Sequence, residues 1–315
     1  MNSQPRMIVL LSAYNGEEYI RQQLDSLFSQ TYPDFLVLVR DDGSRDATPK
    51  ILADYAIRSP EKVRVLDTGS TNRGAAGSFA WLMTYALEHK ADLGVENLYL
   101  LFCDQDDVWH EDKITRQVNV MLAAEAEAAS AEDEELPVLV HTDLQVVDEK
   151  LEPIADSLAQ FQGLQFERNS FQNLLVSNLV TGCTVLINEQ LARKAVPIPD
   201  RAIMHDWWLA LVASGFGKIV YLDTPLIQYR QHSSNTIGAK EHQQLRKGSI
   251  SYWEKFTELK PNAHLVEVAQ QARAFQEQYK SGLNKKQRRA LRFCSALASS
   301  SGLLQRIVFR IVRRL

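Results

Sequence analysis

Leu98-Tyr99-Leu100-Leu101-Phe102-Cys103-Asp104-Gln105-Asp106-Asp107 sets an unbroken apolar run directly against three carboxylates. Such a run, short and bounded by a turn, reads as a buried strand, Leu98–Cys103, with its polar residues at the carboxyl end. The chain before it repeats the pattern. Met7–Ala13 is a first strand, Phe35–Val39 a second and Val63–Leu66 a third. Between them, Ile20, Leu24, Leu27 and Phe28 recur at helical spacing, as do Ile51, Leu52 and Tyr55, and then Phe79, Leu82, Met83, Ala86 and Leu87. Asn15 with Glu18 reads as a capping box for the first helix, and Asp46 as the cap of the second. Strand–helix alternation of this kind predicts a mainly parallel sheet with helices on both faces. Ligands bind such sheets beyond the carboxyl ends of the strands. Three polar clusters lie there, Ser12–Asn15, Asp41–Ser44 and Asp104–Asp107, so they point to one shared site.

Beyond residue 110 the pattern continues less regularly. Glu125–Glu135 reads as a solvated helix end plus loop, by the usual behaviour of charge runs. Pro137–Leu144, Thr181–Ile187 and Lys218–Leu222 have strand character, and Phe171–Val176 and Asp206–Ala213 helical character. The 315 residues divide into an expected domain at 1–240 and a helical extension at 241–315. With 45% hydrophobic and 23% charged residues, the bulk of the chain is neither disordered, collagenous nor a disulfide scaffold. The three cysteines, Cys103, Cys183 and Cys294, have no metal-type spacing and fit a reducing compartment, the first two as small core residues. No signal peptide and no membrane-spanning run is expected.

The chemistry-bearing residues are ambiguous one at a time. Asp104, Asp106 and Asp107 repel one another unless a cation joins them, and hard carboxylate oxygens suit Mg2+ or Mn2+. Asp104-Gln105-Asp106-Asp107 also makes an acceptable capping turn before Trp109. Asp41 has acceptors for a base or ribose, and Arg73 donors for a base or phosphate, yet both stand in plausible turns. Asp206, at the head of an apolar helix, reads as a cap in isolation.

Taken in order, Ser12-Ala13-Tyr14-Asn15-Gly16-Glu17-Glu18-Tyr19-Ile20, Gln30-Thr31-Tyr32-Pro33, Asp41-Asp42-Gly43-Ser44-Arg45-Asp46, Asn72-Arg73-Gly74 and Asp104-Gln105-Asp106-Asp107 resemble the family 2 glycosyltransferases of the GT-A fold. The resemblance runs over residues 7–235. Phe102–Trp109 and His205-Asp206-Trp207-Trp208 look like the branch containing bacterial rhamnosyltransferases of surface-polysaccharide assembly. It implies inverting, metal-dependent transfer from a nucleotide-diphosphate sugar, with dTDP-L-rhamnose as one donor, to a hydroxyl of a growing, lipid-linked glycan. Carried over by position, Ala13, Tyr14 and Asn15 line the nucleotide, Asp41 contacts the base with help from Arg73, and Asp104 and Asp106 touch ribose and a Mg2+ or Mn2+ ion. Asp107 has no implied role. Asp206 becomes the general base. His205 stands where many members have Glu, and its role stays open between orienting Asp206 and contacting a ligand. His232 is implied as a further metal or diphosphate ligand, and Arg230 as a diphosphate contact. His141, Asp143, Asn178, Gly182 and Trp207 join His205 on the acceptor side.

The tail adds a separate signal. From Gly282 to Leu315 there are nine Lys or Arg and no Asp or Glu, whereas the rest of the chain carries a net charge of −13. In Leu303–Leu315, Leu303, Leu304, Ile307, Val308, Ile311 and Leu315 share one side at helical spacing, with Arg306, Arg310 and Arg313 opposite. This pattern suits an anionic membrane surface, with the chain cytoplasmic and on the cytoplasmic face of the inner membrane. The alternative is a helix docked on the acidic body. No nucleic-acid motif accompanies it. Two other functions use comparable residues: a metal-dependent nucleotidyltransferase, and a non-catalytic glycan- or nucleotide-binding adaptor at a membrane.

Overall fold

A computed structural model describes residues 4–67, 69, 71–130, 136–233, 262–299 and 301–314. The first half runs β1 (Met7–Ala13), α1 (Ile20–Phe28), β2 (Phe35–Asp41), α2 (Thr48–Arg58), β3 (Val63–Val65), α3 (Gly74–Glu88), β4 (Tyr99–Cys103), β5 (Val108–Trp109) and α4 (Lys113–Ser130). The second half adds β6 (Val138–Val147), β7 (Pro153–Ala155), α5 (Leu158–Gln162), α6 (Phe171–Leu174), β8 (Leu186–Asn188), α7 (Glu189–Ala195), α8 (His205–Phe216) and β9 (Lys218–Arg230). Three further helices are α9 (Ala263–Gln278), α10 (Lys285–Cys294) and α11 (Gly302–Val312).

The strands form one sheet in the order β3-β2-β1-β4-β8-β6-β9-β5, with β7 on β6. β3, β2, β1 and β4 are parallel, as the alternation predicts. Beyond them the sheet is mixed: β8 is antiparallel to both β4 and β6, β9 runs parallel to β6, and β5 antiparallel to β9. β1 has β2 on one side and β4 on the other, so the chain reverses direction across the sheet there. That is the switch point at which open α/β sheets form a crevice.

Alternation along β1 builds two cores. Ile8 and Leu10 face Phe79, Leu82 and Met83 of α3 and the buried residues of α7 and α8. Met7, Val9, Leu11 and Ala13 face Ile20, Leu24, Ile51 and Leu52 of α1 and α2, together with Ile114 and Met121 of α4. The period of two in a strand sends successive residues to opposite faces, and both are covered.

Four local expectations are corrected. Asn15 caps no helix: its φ is 48°, Tyr19 is the N-cap of α1, and that cap makes no side-chain hydrogen bond. The Asn15 carboxamide oxygen instead accepts from Arg45 N at 2.9 Å, tying the β1 loop to the β2 loop. Thr181–Ile187 is not a continuous strand, because Gly182–Thr184 winds into a 3-10 turn before β8. Within Glu125–Glu135, Glu125 accepts from Tyr99 Oη at 2.7 Å and Asn188 Nδ2 at 2.9 Å, so it joins α4 to the sheet; residues 131–135 lie outside the described ones. Asp46 is likewise not the cap of α2, which is Ala47 with no side-chain cap hydrogen bond; its carboxylate accepts from Thr48 N at 2.9 Å and from Glu17 N at 3.0 Å.

The expected boundary at 240 also lies outside the described residues. Helices α9–α11 bring Val268, Phe275, Leu291, Val308 and Val312 into the same core as Trp207 and Trp208 of α8. Docking turns Val308 inward, away from the shared apolar side expected for the tail. Leu303, Leu304 and Ile307 stay outside, at 41%, 42% and 48% exposure. No helix among the described residues is long and apolar enough to cross a membrane.

Candidate active site

Parallel register assembles the site. Ala13 pairs with Asp41 at the ends of β1 and β2, and Cys103 at the end of β4 pairs with Leu11. The loops after these strands therefore leave the sheet side by side. Tyr14 stands at the rim, 47% exposed, whereas Ala13 is buried beneath it. Asn15 N donates to Ser44 Oγ at 2.8 Å, and Ser44 Oγ in turn donates to Asp41. Asp41 is thus held with Asn15 in one polar shelf. Arg73 is exposed next to it, its backbone N–H donating to Asp42.

Asp42 is a residue the sequence reading passed over. It is buried, ion-paired to the equally buried Arg40, and accepts from the backbone of Arg73 and Gly74 at the head of α3. A buried carboxylate with this many donors is satisfied, and its function is to fix the loop that presents Arg73.

The acidic loop carries an unbalanced charge. The Asp104 carboxyl is raised to about 7, first by burial and then by the charges of Asp106 and Asp206. Asp107 is pushed well up by burial and by both neighbours, and it accepts from Arg230 N at 3.2 Å. Ligand atoms of Asp104, Asp107 and Cys183 lie within 4.8 Å of one another. His232 Nε2 is 2.9 Å from Asp106 Oδ2. Below the loop, Lys113 is fully buried against the Trp109 ring, and burial draws its ammonium down to about 7. Clustered carboxylates held partly neutral by burial fit a hard divalent cation, which would restore their charged form. Among the described residues the converging ligand atoms are those of Asp104, Asp107 and Cys183, with the Asp106–His232 pair in the same loop region.

Arg230, expected on the diphosphate, is committed to the protein. It is 1% exposed, with Nε on Asp106 O at 2.8 Å, Nη1 on Glu149 O and Nη2 on Gln22 Oε1 at 2.6 Å. Its guanidinium also covers the Tyr19 ring at 4.6 Å. Such a fork, 1% exposed, positions the acidic loop and is withdrawn from solvent.

Asp206 lies in the first turn of α8, where the cap position is Met204, so it does not cap the helix. Burial raises its carboxyl to about 7, against hydrogen bonds from Trp207 N, Gly182 N and Asn178 Nδ2, the last at 3.2 Å. The 3-10 turn at Gly182–Thr184 makes this possible. A Cβ on Gly182 would stand 3.0 Å from His205 Nε2 and 3.5 Å from Asp206 Oδ2, so a side chain there would crowd the His205 ring. His205 is buried with Phe79 at 4.3 Å, both its ring nitrogens lacking hydrogen bonds among the described residues, and burial lowers it to about 3. It is therefore neutral.

The remaining acceptor-side candidates divide. Asn178 and Gly182 touch Asp206. Asp143 is spent on Leu144 N, Ala159 N and Ser157 Oγ at the start of α5. His141 is buried on Phe166 and Tyr221 and neutral, its imidazole lowered to about 3 by burial. Trp207 is a core residue, with Nε1 donating to Leu174 O at 2.6 Å. The structure brings Asp104, Asp106, His232, Tyr14, Asn15, Asp41, Asp206, Asn178 and Gly182 to the crevice side, and assigns Arg230, Asp143, His141 and Trp207 to holding the fold.

Residues 8–135 match the family model described as glycosyl transferase family 2. That stretch of the chain is similar to the family 2 glycosyltransferases. Its GT-A architecture agrees with solved neighbours. A mannosyltransferase from Pyrobaculum calidifontis, in complex with GDP-Man and Mn2+, superposes with a TM-score of 0.52 at 16% identity, over 99% of this chain and 87% of that one. S. aureus TarS 1-349 in complex with UDP-GlcNAc gives 0.51 at 16% identity, over 98% and 90%. By sequence, the chain is 28% identical over 238 residues to the dTDP-rhamnosyl transferase RfbG of Shigella flexneri, covering 73% of this chain and 74% of that protein. It is 29% identical over 230 residues to the uncharacterized protein Rv1520 of Mycobacterium tuberculosis, spanning 59% of the latter's length.

Proposed function

We propose that the enzyme transfers a sugar, with inversion, from a nucleotide-diphosphate donor to a hydroxyl of a growing, lipid-linked bacterial surface glycan. The observation that carries this reading is the Gly182–Thr184 turn, which sets Cys183 against Asp104 and Asp107, with ligand atoms within 4.8 Å of one another, and Gly182 against Asp206. A donor-side carboxylate and a candidate base thus share one cleft. The Asp41–Asn15–Ser44 shelf and Tyr14 hold the nucleoside. Asp104, Asp106 and His232 hold Mg2+ or Mn2+, which would neutralise charge developing on the departing diphosphate. Asp206 takes the proton of the acceptor hydroxyl, its raised pKa matching that task near neutrality. Asn178 and Gly182 fix its oxygens.

Likeness to a dTDP-rhamnosyl transferase makes dTDP-L-rhamnose the first donor to try. The exposed Leu303, Leu304 and Ile307 and the basic helices α10 and α11 support action at an anionic membrane surface. The test is a thermal-shift panel of dTDP-, UDP- and GDP-sugars with Mn2+, followed by Asp206→Asn. A donor-dependent shift is expected, and Asp206→Asn is expected to lower transfer by about 10²–10⁴-fold with donor binding retained. No shift with any donor would overturn the reading. Nucleoside triphosphate consumption with release of pyrophosphate would move it to a nucleotidyltransferase, and binding without turnover to an adaptor.

A further inference from the structure

Gln105 is the uncharged residue inside the acidic loop, and its carboxamide leaves that loop entirely. Its Oε1 accepts from Tyr14 N at 2.8 Å, and its Nε2 donates to Tyr14 O at 3.0 Å. A primary amide that meets both the N–H and the C=O of one residue holds it in two directions at once. Neither hydrogen bond serves secondary structure. They join the loop after β4, which carries Asp104 and Asp106, to the loop after β1, which carries Tyr14 and Asn15.

The space around this contact is shaped for it. A Cβ placed on Gly16 would stand 2.3 Å from Gln105 Oε1 and 2.5 Å from its Cδ. Gly16 is not at positive φ, so its lack of a side chain answers to that approach and not to backbone conformation. On the far side, Asn15 passes the constraint on to Ser44 and Arg45 of the β2 loop. The peptide of Tyr14 is thus the one link between the acidic loop and the nucleoside shelf that consists of a matched pair of hydrogen bonds. Its ring, at the rim, goes where the peptide is held.

We propose that Gln105 is a positioning residue that couples cation binding at Asp104 and Asp106 to nucleotide binding at Tyr14 and Asn15. An ion that draws the acidic loop into its coordinating arrangement also sets the Tyr14 peptide, so each ligand finds the other's loop already ordered. By linkage, the enhancement is mutual. This inference rests on the donor-site reading above.

The test measures dTDP affinity by calorimetry with and without saturating Mn2+, with UDP in its place should dTDP not bind. The quantity read is the ratio of the two dissociation constants. Gln105→Met keeps the length of the side chain and removes both hydrogen bonds. Gly16→Ala keeps Gln105 and displaces it from the other side. Both variants are expected to fold, with unchanged far-ultraviolet circular dichroism, and to lower the Mn2+ enhancement by about tenfold, the scale of a lost pair of hydrogen bonds. A residue that only stabilised the loop would weaken binding equally with and without the ion. An unchanged ratio in either folded variant would overturn the coupling. Absence of any nucleotide binding by the wild-type chain would instead strike at the donor site itself.

Discussion

Asp206 and Asp104 both hold their protons more tightly in the folded chain than an exposed carboxyl does, and the sign of that shift fixes two pH effects. As a base, Asp206 works only when deprotonated. Transfer should therefore climb as pH rises from about 6 to about 8 and level off above, and a rate profile of the wild type checks this. As buried acids, the same groups favour the folded state when protonated. Their stabilisation is present below the usual carboxyl range, about 4, and is lost as pH rises through about 7. Mn2+, which needs the carboxylates charged, should raise the melting temperature more at pH 8 than at pH 6. His205 shows the limit of reading residues singly. Its position beside Asp206 was legible in the motif, but its burial on Phe79 and the resulting neutrality depend on α3, far away in sequence.

Among elements, α8 is the one on which the proposed catalysis depends most. It presents Asp206 at its start and is buried from His205 through Ala213. Trp208 is fully buried, its Nε1 donating to Ala195 O at 3.0 Å, and its ring meets Phe275 of α9 at 5.5 Å. Trp208→Ala should cost about 3–5 kcal/mol of stability, read by chemical denaturation, because the cavity has rigid walls on three elements. Apolar runs placed β1–β4 within a residue or two and helical spacing found α1–α3, but neither signal gave β5 or the start of α4. Gly182–Thr184 escaped because its turn is imposed from outside, by the need to bring backbone against His205 and Asp206. Arg230 was misplaced for a related reason: spacing puts it at the site, but only the fold shows its guanidinium already claimed by Asp106, Glu149 and Gln22.

For the whole molecule, docking of α11 decides which face of the tail is available. Helical spacing counted Val308 with the exposed residues; packing against the core removes it and leaves Leu303, Leu304 and Ile307 beside Arg310, Arg313 and Arg314. The exposed Lys285, Lys286, Arg288, Arg289 and Arg292 of α10 extend the same charge. The chain should float with vesicles containing phosphatidylglycerol and not with pure phosphatidylcholine, and rising salt should release it. Leu303→Ser, Leu304→Ser and Ile307→Ser combined should abolish flotation without changing transfer to a soluble acceptor. Equal flotation with both lipids would assign the basic surface to another partner.

The covering of α8 by α9 also has a consequence in time. The nucleoside shelf and acidic loop are encoded before residue 110, and the base by residue 206, but the helices that close over Trp207 and Trp208 come last. Domains form from the amino end as the chain emerges during synthesis. A nascent chain on the ribosome can therefore assemble the donor side while the apolar back of the base-bearing helix still lies open to water. On the proposed function, the helix that carries Asp206 is fully packed only once α9–α11 have closed over it.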